Sequence, residues 1–398
     1  MWSFGPNHLA GNSPSHQDLQ HRVLAMNIPF MRLDRQFAAH KDAYMAAVER
    51  VFTHGRVLQG PEVGEFEERL ASFFGLAGAA AVGSGTDALV LALRAAGLQL
   101  GGKVAVTSLS FVASASAIAL AGGKPVFVDI EPEHNLNRED VLLELVDKRA
   151  VDAVIVVHLY GQMAETQDLR RLARERGVIV IEDAAQALGA TRHGNAPGRD
   201  AHAVCLSFDP TKVIGAQGSG GMVLSADADL MERVRRLRYH GLDKGHPEGR
   251  VYSEIGHNSQ LPTVQASLLN VKMDHEAEWR ARRTAIASAY TAALDSHPLL
   301  TPPQVREGNT HIFHKYVLRA PGIRDDLAAH LKAQGIGTAV HYTKGLHEQP
   351  CFADKHELAG DMVEVGRACG EVLSLPIYPE LTDGEVGEVC TALGAYTV

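Results

Sequence analysis

Seven short apolar runs punctuate the chain, at residues 79–82, 104–106, 125–128, 153–157, 178–181, 203–206 and 222–224. A run of three to five consecutive apolar positions, without polar alternation, predicts a strand buried on both faces. Between several of them lie amphipathic segments such as 87–96 and 166–176, with the spacing of helices. The alternation predicts an α/β fold with a large, mostly parallel seven-stranded sheet covered by helices on both faces. After about Asn270 the texture changes to a long charged helix at 274–294, a turn at Pro302-Pro303, and shorter strands and helices. The expected organisation is a large domain over 26–273, then a connector helix and a smaller C-terminal α/β domain over 274–398. No internal repeat or low-complexity tract interrupts it.

Residues 1–25 differ. Met1-Trp2-Ser3-Phe4-Gly5-Pro6 leads into a His-, Ser- and Asn-rich segment without the basic start and apolar centre of a secretory signal. It reads as a poorly ordered extension, with Met26 the expected natural beginning.

Composition narrows the function classes. The 398 residues are 45% hydrophobic and 21% charged, ample for a sizeable core. A net charge of -9 argues against nucleic acid as the main partner. Cys205, Cys351, Cys369 and Cys390 lie far apart without CxxC spacing, the usage of reduced thiols in a cytoplasmic protein. No apolar stretch approaches the length of a membrane span.

The strongest chemical signal is Ser207-Phe208-Asp209-Pro210-Thr211-Lys212, followed by Gly215-Ala216-Gln217-Gly218-Ser219-Gly220-Gly221. A lysine just past a strand, in a turn of small and hydroxylated residues, can form a Schiff base with an aldehyde cofactor whose phosphate the turn holds. The preceding strand ends in Glu182-Asp183-Ala184-Ala185-Gln186, which offers a carboxylate to a pyridine nitrogen. The plainer alternative is a surface lysine in a turn and an aspartate capping a helix.

Gly83-Ser84-Gly85-Thr86-Asp87-Ala88-Leu89 opens a helix directly after a strand, a ready anion site. It also spells G-x-G-x-x-A, but a dinucleotide fingerprint needs an acid about 20 positions on. The residues there are Val106-Thr107-Ser108-Leu109, so that reading fails. In Thr107-Ser108-Leu109-Ser110-Phe111-Val112-Ala113-Ser114 an aromatic stands among small residues, able to stack on a flat ring or to serve as core.

In this order the segments resemble the DegT/StrS family of pyridoxal-phosphate sugar aminotransferases, of fold-type I. The resemblance also rests on Val128-Asp129-Ile130, His158-Leu159-Tyr160-Gly161, Gly256-His257-Asn258-Ser259 and Leu375-Pro376-Ile377-Tyr378-Pro379-Glu380. Each motif is weak by itself; their order is specific, and they span nearly all the chain after Met26.

The resemblance implies roles. Lys212 would bind the pyridoxal phosphate aldehyde and shuttle a proton, and Asp183 would keep the pyridine nitrogen protonated. Phe111 would stack on the ring and Gln186 would lie beside it. Gly85, Thr86, Asp87 (through its backbone amide) and Ser207 would hold the phosphate. Asn258 would reach the phosphate of a neighbouring subunit, implying a homodimer with shared active sites.

Three positions depart from the family pattern. Asp209 stands where an aromatic is usual, Ser219 where an acid is usual, and Gln260 where an arginine can hold the amino donor's carboxylate. Together they put the usual substrates in question.

Other features carry less. Arg233, Arg235, Arg236 and Arg238 read as a solvated helix face rather than a phosphate site. The twenty histidines show neither HExxH nor paired Cys/His spacing, so no metal is expected. His314, His341, Tyr342 and His347 lie in small-domain motifs that border the substrate pocket or merely support it. The expected activity is transfer of an amino group from glutamate or glutamine to a keto group on a nucleotide-linked deoxysugar. Two rivals stand beside it: another reaction of the same cofactor, such as a dehydration or an amino-acid transformation, and a non-catalytic pyridoxal-phosphate-binding regulator.

Overall fold

The structure is a computed structural model that describes residues 27–397. The extension expected over 1–25 lies outside the described residues. The elements run in chain order α1 (Leu33–His54), α2 (Pro61–Phe74), β1 (Gly78–Val82), α3 (Gly85–Ala95), β2 (Lys103–Thr107), α4 (Ala113–Leu120) and β3 (Lys124–Val128). They continue through α5 (Glu139–Asp147), β4 (Ala153–Val157), α6 (Gln167–Arg176), β5 (Ile179–Asp183), β6 (Ala203–Ser207), β7 (Gly221–Ser225) and α7 (Ala228–Leu237). The remainder comprises α8 (Thr263–Met273), α9 (Glu276–Ala293), β8 (Tyr316–Arg319), α10 (Arg324–Ala333), β9 (Glu357–Ala359), α11 (Val363–Glu371), β10 (Val372–Leu375) and α12 (Asp383–Gly394).

One sheet carries the first seven strands and β9, in the order β1-β7-β6-β5-β4-β2-β3-β9. Only β7 runs against its neighbours. The period of two explains why these strands read as unbroken apolar runs. In β1, Ala80 and Val82 enter one hydrophobic cluster while Ala79 and Ala81 enter another on the opposite face. Ala203 and Cys205 against Val204 and Leu206 repeat this in β6. Helix ends follow local chemistry: Ser84 caps α3 by accepting from the Asp87 amide, and Thr382 with Glu385 forms a capping box at α12.

All seven expected strands are present, and the sheet gains an eighth. β9 pairs parallel with β3, and Glu357 binds Lys103 at 2.8 Å and Lys124 at 2.9 Å. Three residues with a half-exposed Leu358 at their centre leave no apolar run to read. The division expected at 273/274 is thus crossed by β9, and also by Leu346, Phe352 and Val365, which pack into the large sheet's cluster. In the other direction, Ile28 packs with Tyr290, Tyr316 and Leu375 in the C-terminal cluster, its amide donating to Gly335 O at 3.0 Å. Strands β8 and β10 pair antiparallel at the heart of that cluster.

The arginine run is not a solvated face. Arg238 bonds Glu67 and Ala81 O, Arg235 reaches Ala79 O, and Arg233 and Arg236 pair with Glu254. Arg235 and Arg238 fasten α7 to β1, and Arg233 and Arg236 fasten it to the loop carrying Glu254. Among the described residues no helix is long and apolar enough to cross a membrane.

Candidate active site

The parallel strands end together on one edge of the sheet, and a cavity of about 400 Å³ opens there. Its floor is made by the loops that leave these strands. Asp183 is the last residue of β5; buried, it accepts hydrogen bonds from Ser114 Oγ at 2.7 Å and the Ala185 amide at 3.1 Å. Ser110 in turn bonds Ser114 at 2.8 Å, so a chain of two hydroxyls fixes the carboxylate.

At the far side of the floor, the N-terminus of α3 meets the end of β6. A Cβ on Gly85 would stand 2.7 Å from the Ser207 Cβ, so only glycine lets the helix start this close to that hydroxyl. A helix N-terminus beside two serine hydroxyls is a cradle for a doubly charged anion.

Lys212 sits in the turn after β6. Asp209 organises that turn: its Oδ1 accepts from the Thr211 amide at 2.9 Å and the Thr211 hydroxyl at 2.6 Å, and its carbonyl from the Lys212 amide at 2.9 Å. Buried Lys272 donates to Gly215 O and closes the loop from below. Burial lowers the Lys212 pKa, opposed by the charges of Asp183 and Asp209.

The opposite wall comes from elsewhere in the chain. Gln186 accepts from the Tyr160 amide at 2.8 Å and donates to the Tyr342 hydroxyl at 3.3 Å. Tyr160 Oη donates to His341 O, and His341 Nδ1 lies 2.8 Å from Ser374 Oγ. Gly161 has φ +119°, and a Cβ there would lie 2.8 Å from the His314 amide nitrogen. This close approach brings His314 and Lys315 to the cavity. Burial, with nearby cations, holds His314 well below the ordinary histidine pKa and His341 at about 4, so both are neutral.

Of the residues singled out in the sequence, Gly85, Thr86, Phe111, Asp183, Gln186, Ser207, Asp209, Lys212, His341 and Tyr342 line this one cavity. Phe111 is half-exposed at its mouth. Asp87, Asn258 and Gln260 do not line it. The Asp87 amide is taken by Ser84 at 3.0 Å and its carboxylate by Ser259 at 2.7 Å. Asn258 is exposed, and Gln260 accepts from Gln59 at 2.6 Å. Sequence reasoning gave no role to Ser110, Ser114 and Thr211, which lie inside quoted motifs, nor to Phe30 and Lys315. None of these stands out by residue type.

An amine, a buried carboxylate, and an amide-and-hydroxyl cradle around one cavity suit a phosphorylated aromatic aldehyde. Residues 39–394 match the DegT/DnrJ/EryC1/StrS aminotransferase family. The chain belongs to that family. This aminotransferase-family chain is 39% identical over 360 residues to the "Pleiotropic regulatory protein" of Geobacillus stearothermophilus, covering 90% of this chain and 95% of that one. It is 36% identical to the UDP-2-acetamido-2-deoxy-3-oxo-D-glucuronate aminotransferase of Pseudomonas aeruginosa, covering 92% and 99%. Among solved structures, DesV of S. venezuelae in complex with a ketimine intermediate superposes with a TM-score of 0.86 at 34% identity, covering 92% of this chain and 97% of that one. NtdA of Bacillus subtilis with bound cofactor PMP gives 0.83 at 27% identity, covering 92% and 84%. The expected family and fold class both hold.

Proposed function

We propose that the protein transfers an amino group from glutamate or glutamine to the keto group of a nucleotide-linked deoxysugar or similar acceptor. Its cofactor is pyridoxal phosphate, the cofactor to which its family and its cavity correspond. The observation that carries the reading is Lys212 and Asp183 facing one cavity, with the cradle of Gly85, Thr86 and Ser207 at its edge.

When bound, pyridoxal phosphate supplies an aldehyde that takes up the amine and a ring that accepts an electron pair. Asp183, fixed by Ser114 and the Ala185 amide, would hold the cofactor's ring nitrogen and stabilise a proton there. Lys212, which lines the same cavity, would hold the aldehyde through its amine and would move a proton at the substrate carbon. Its lowered pKa favours the neutral amine that both tasks need. Gln186 and Tyr342, bonded to each other, would help to hold the cofactor. Phe111, at the cavity mouth, would pack against the cofactor, and Asp87 steadies the start of α3.

The relative from Pseudomonas, named for a 3-oxo sugar nucleotide, and the ketimine complex of DesV support a keto-sugar acceptor. The active unit is proposed to be a cytoplasmic homodimer in which Asn258 and Gln260 serve the partner's cavity. Support comes from the position of both outside this chain's own cavity, from the exposure of Asn258, and from the exposed Phe37, Phe52, Tyr252 and Ile255. The test is incubation of the purified, pyridoxal-phosphate-loaded protein with glutamate or glutamine and 3-keto and 4-keto sugar nucleotides. Mass spectrometry is expected to find an amino sugar nucleotide and a 2-oxo acid in equal amounts. A deoxygenated product without nitrogen gain would favour dehydration, and binding without turnover would favour a regulator.

A further inference from the structure

Lys315 is a lysine of the cavity whose charge the proposed reaction leaves unused. It precedes β8, and its amide donates to Tyr160 O at 3.2 Å while the Ile312 amide donates to Gly161 O at 2.8 Å. These two bonds carry the side chain to the cavity wall facing the strand ends. Only 7% of the residue is exposed, yet among the described residues its ammonium makes neither hydrogen bond nor ion pair. Its Nζ lies over the Phe30 ring, 4.9 Å from the centroid. An ammonium whose stem is buried and whose head faces a cavity without an anion has lost much of its hydration, and folds normally pair such a group.

The surroundings deepen that cost. Arg283, from α9, is committed to the carbonyls of Ile377 at 2.8 Å and Phe313 at 3.3 Å, and lends no negative charge. Lys212 is a second amine nearby, and His314 and His341 are neutral. Asp209 is the one acid acting on Lys315, and its Oδ1 is already bound to Thr211. Burial, then Arg283 and Lys212, lower the Lys315 pKa to about 7. An anion entering the cavity would meet an unpaired cation that is already partly desolvated, where a charge-assisted bond is stronger than at an open surface.

We infer that Lys315 is the carboxylate anchor of this site, a specificity-determining residue whose ammonium pairs with a carboxylate brought by the substrate. The inference rests on the aminotransferase reading above. The carboxylate has two sources, the amino-acid donor or an acidic ring substituent on the acceptor. The donor is the one argued here, because every turnover must admit it.

The experiment uses the full chain loaded with pyridoxal phosphate, as wild type, Lys315→Met and Lys315→Arg. Calorimetry measures binding of glutarate, which has two carboxylates and no amine. Stopped-flow absorbance measures the half-reaction with glutamate, giving a half-saturation and a limiting rate. Lys315→Met is expected to keep the visible cofactor band and to weaken both glutarate and glutamate by roughly ten- to a hundredfold. Its limiting rate should stay within a few-fold, and Lys315→Arg should recover most of the binding. Loss confined to an acceptor carrying a ring carboxylate, against its neutral counterpart, would keep the anchor and assign it to the acceptor. Unchanged binding of glutarate, glutamate and acidic acceptor by Lys315→Met would overturn the inference. So would a collapsed limiting rate with unchanged binding, which would make Lys315 a participant in chemistry. A wild type with neither cofactor band nor amine-dependent colour change would instead overturn the aminotransferase reading.

Discussion

Ser84, Asp183 and Ser207 each stand at or just past the end of a strand of the large sheet, whereas Phe30, Lys315 and Tyr342 reach the same cavity from scattered segments. The floor is positioned by strand pairing, which fixes neighbouring chain ends to within a few tenths of an ångström. The wall is positioned by a few backbone bonds, such as those from Lys315 to Tyr160 and from Leu346 to Ser108. A floor of this kind suits chemistry common to all substrates. A wall held by few contacts suits recognition, because its residues change without disturbing the sheet.

The comparison is most open to attack at Lys212. On the proposed reading, in which its amine would bind the aldehyde and carry the proton, Lys212→Ala should abolish turnover, by several orders of magnitude. Borohydride treatment should leave no cofactor attached to that variant, while circular dichroism shows an intact fold. Turnover within tenfold of wild type would remove the floor from the chemistry.

Asp183→Asn should retain cofactor yet lose roughly two to four decades in the half-reaction, since an amide cannot hold the ring nitrogen protonated. Stopped-flow rates near wild type would mean that another group does this.

The adjacent acid provides the control. Glu182 points to the other face of β5 and is fully buried, bound by His158 at 3.0 Å, Arg170 at 2.9 Å and the Gly198 amide at 2.8 Å. Burial pushes its pKa up, but the bonds and charges of His158 and Arg170 outweigh that and hold it below the ordinary value. A depressed folded pKa contributes stability above the ordinary glutamate range, lost as pH falls through the depressed value. Glu182→Gln should therefore cost about 3–5 kcal/mol near neutral pH by leaving partners uncompensated. Denaturant titration should also find its stability less sensitive to acid, with cofactor affinity retained.

The smallest effect is expected at the seam between floor and wall. Tyr342→Phe removes the acceptor of the 3.3 Å bond from Gln186, worth about 1 kcal/mol, or roughly fivefold. The change should appear in cofactor affinity measured by dialysis. A loss of decades would give Tyr342 a direct part in the reaction.

Residue type and order determined much of this protein. The seven apolar runs gave the large sheet because strands buried on both faces need no alternation, and the helix-opening and lysine-bearing motifs gave the floor because close contacts within a turn constrain local sequence. Tertiary structure alone decided the rest. β9 is too short and polar to announce itself, yet completes the sheet through Glu357 and two lysines. The arginines of α7 look solvated until their carbonyl and carboxylate partners on β1, α2 and the loop carrying Glu254 are brought beside them. Ser114 looks like any serine in a small-residue helix, and only its distance to Asp183 gives it a task. Lys315 is an ordinary lysine in the sequence; burial without a partner is a property of three dimensions, created when segments 155 residues apart close around it, from Tyr160 to Lys315.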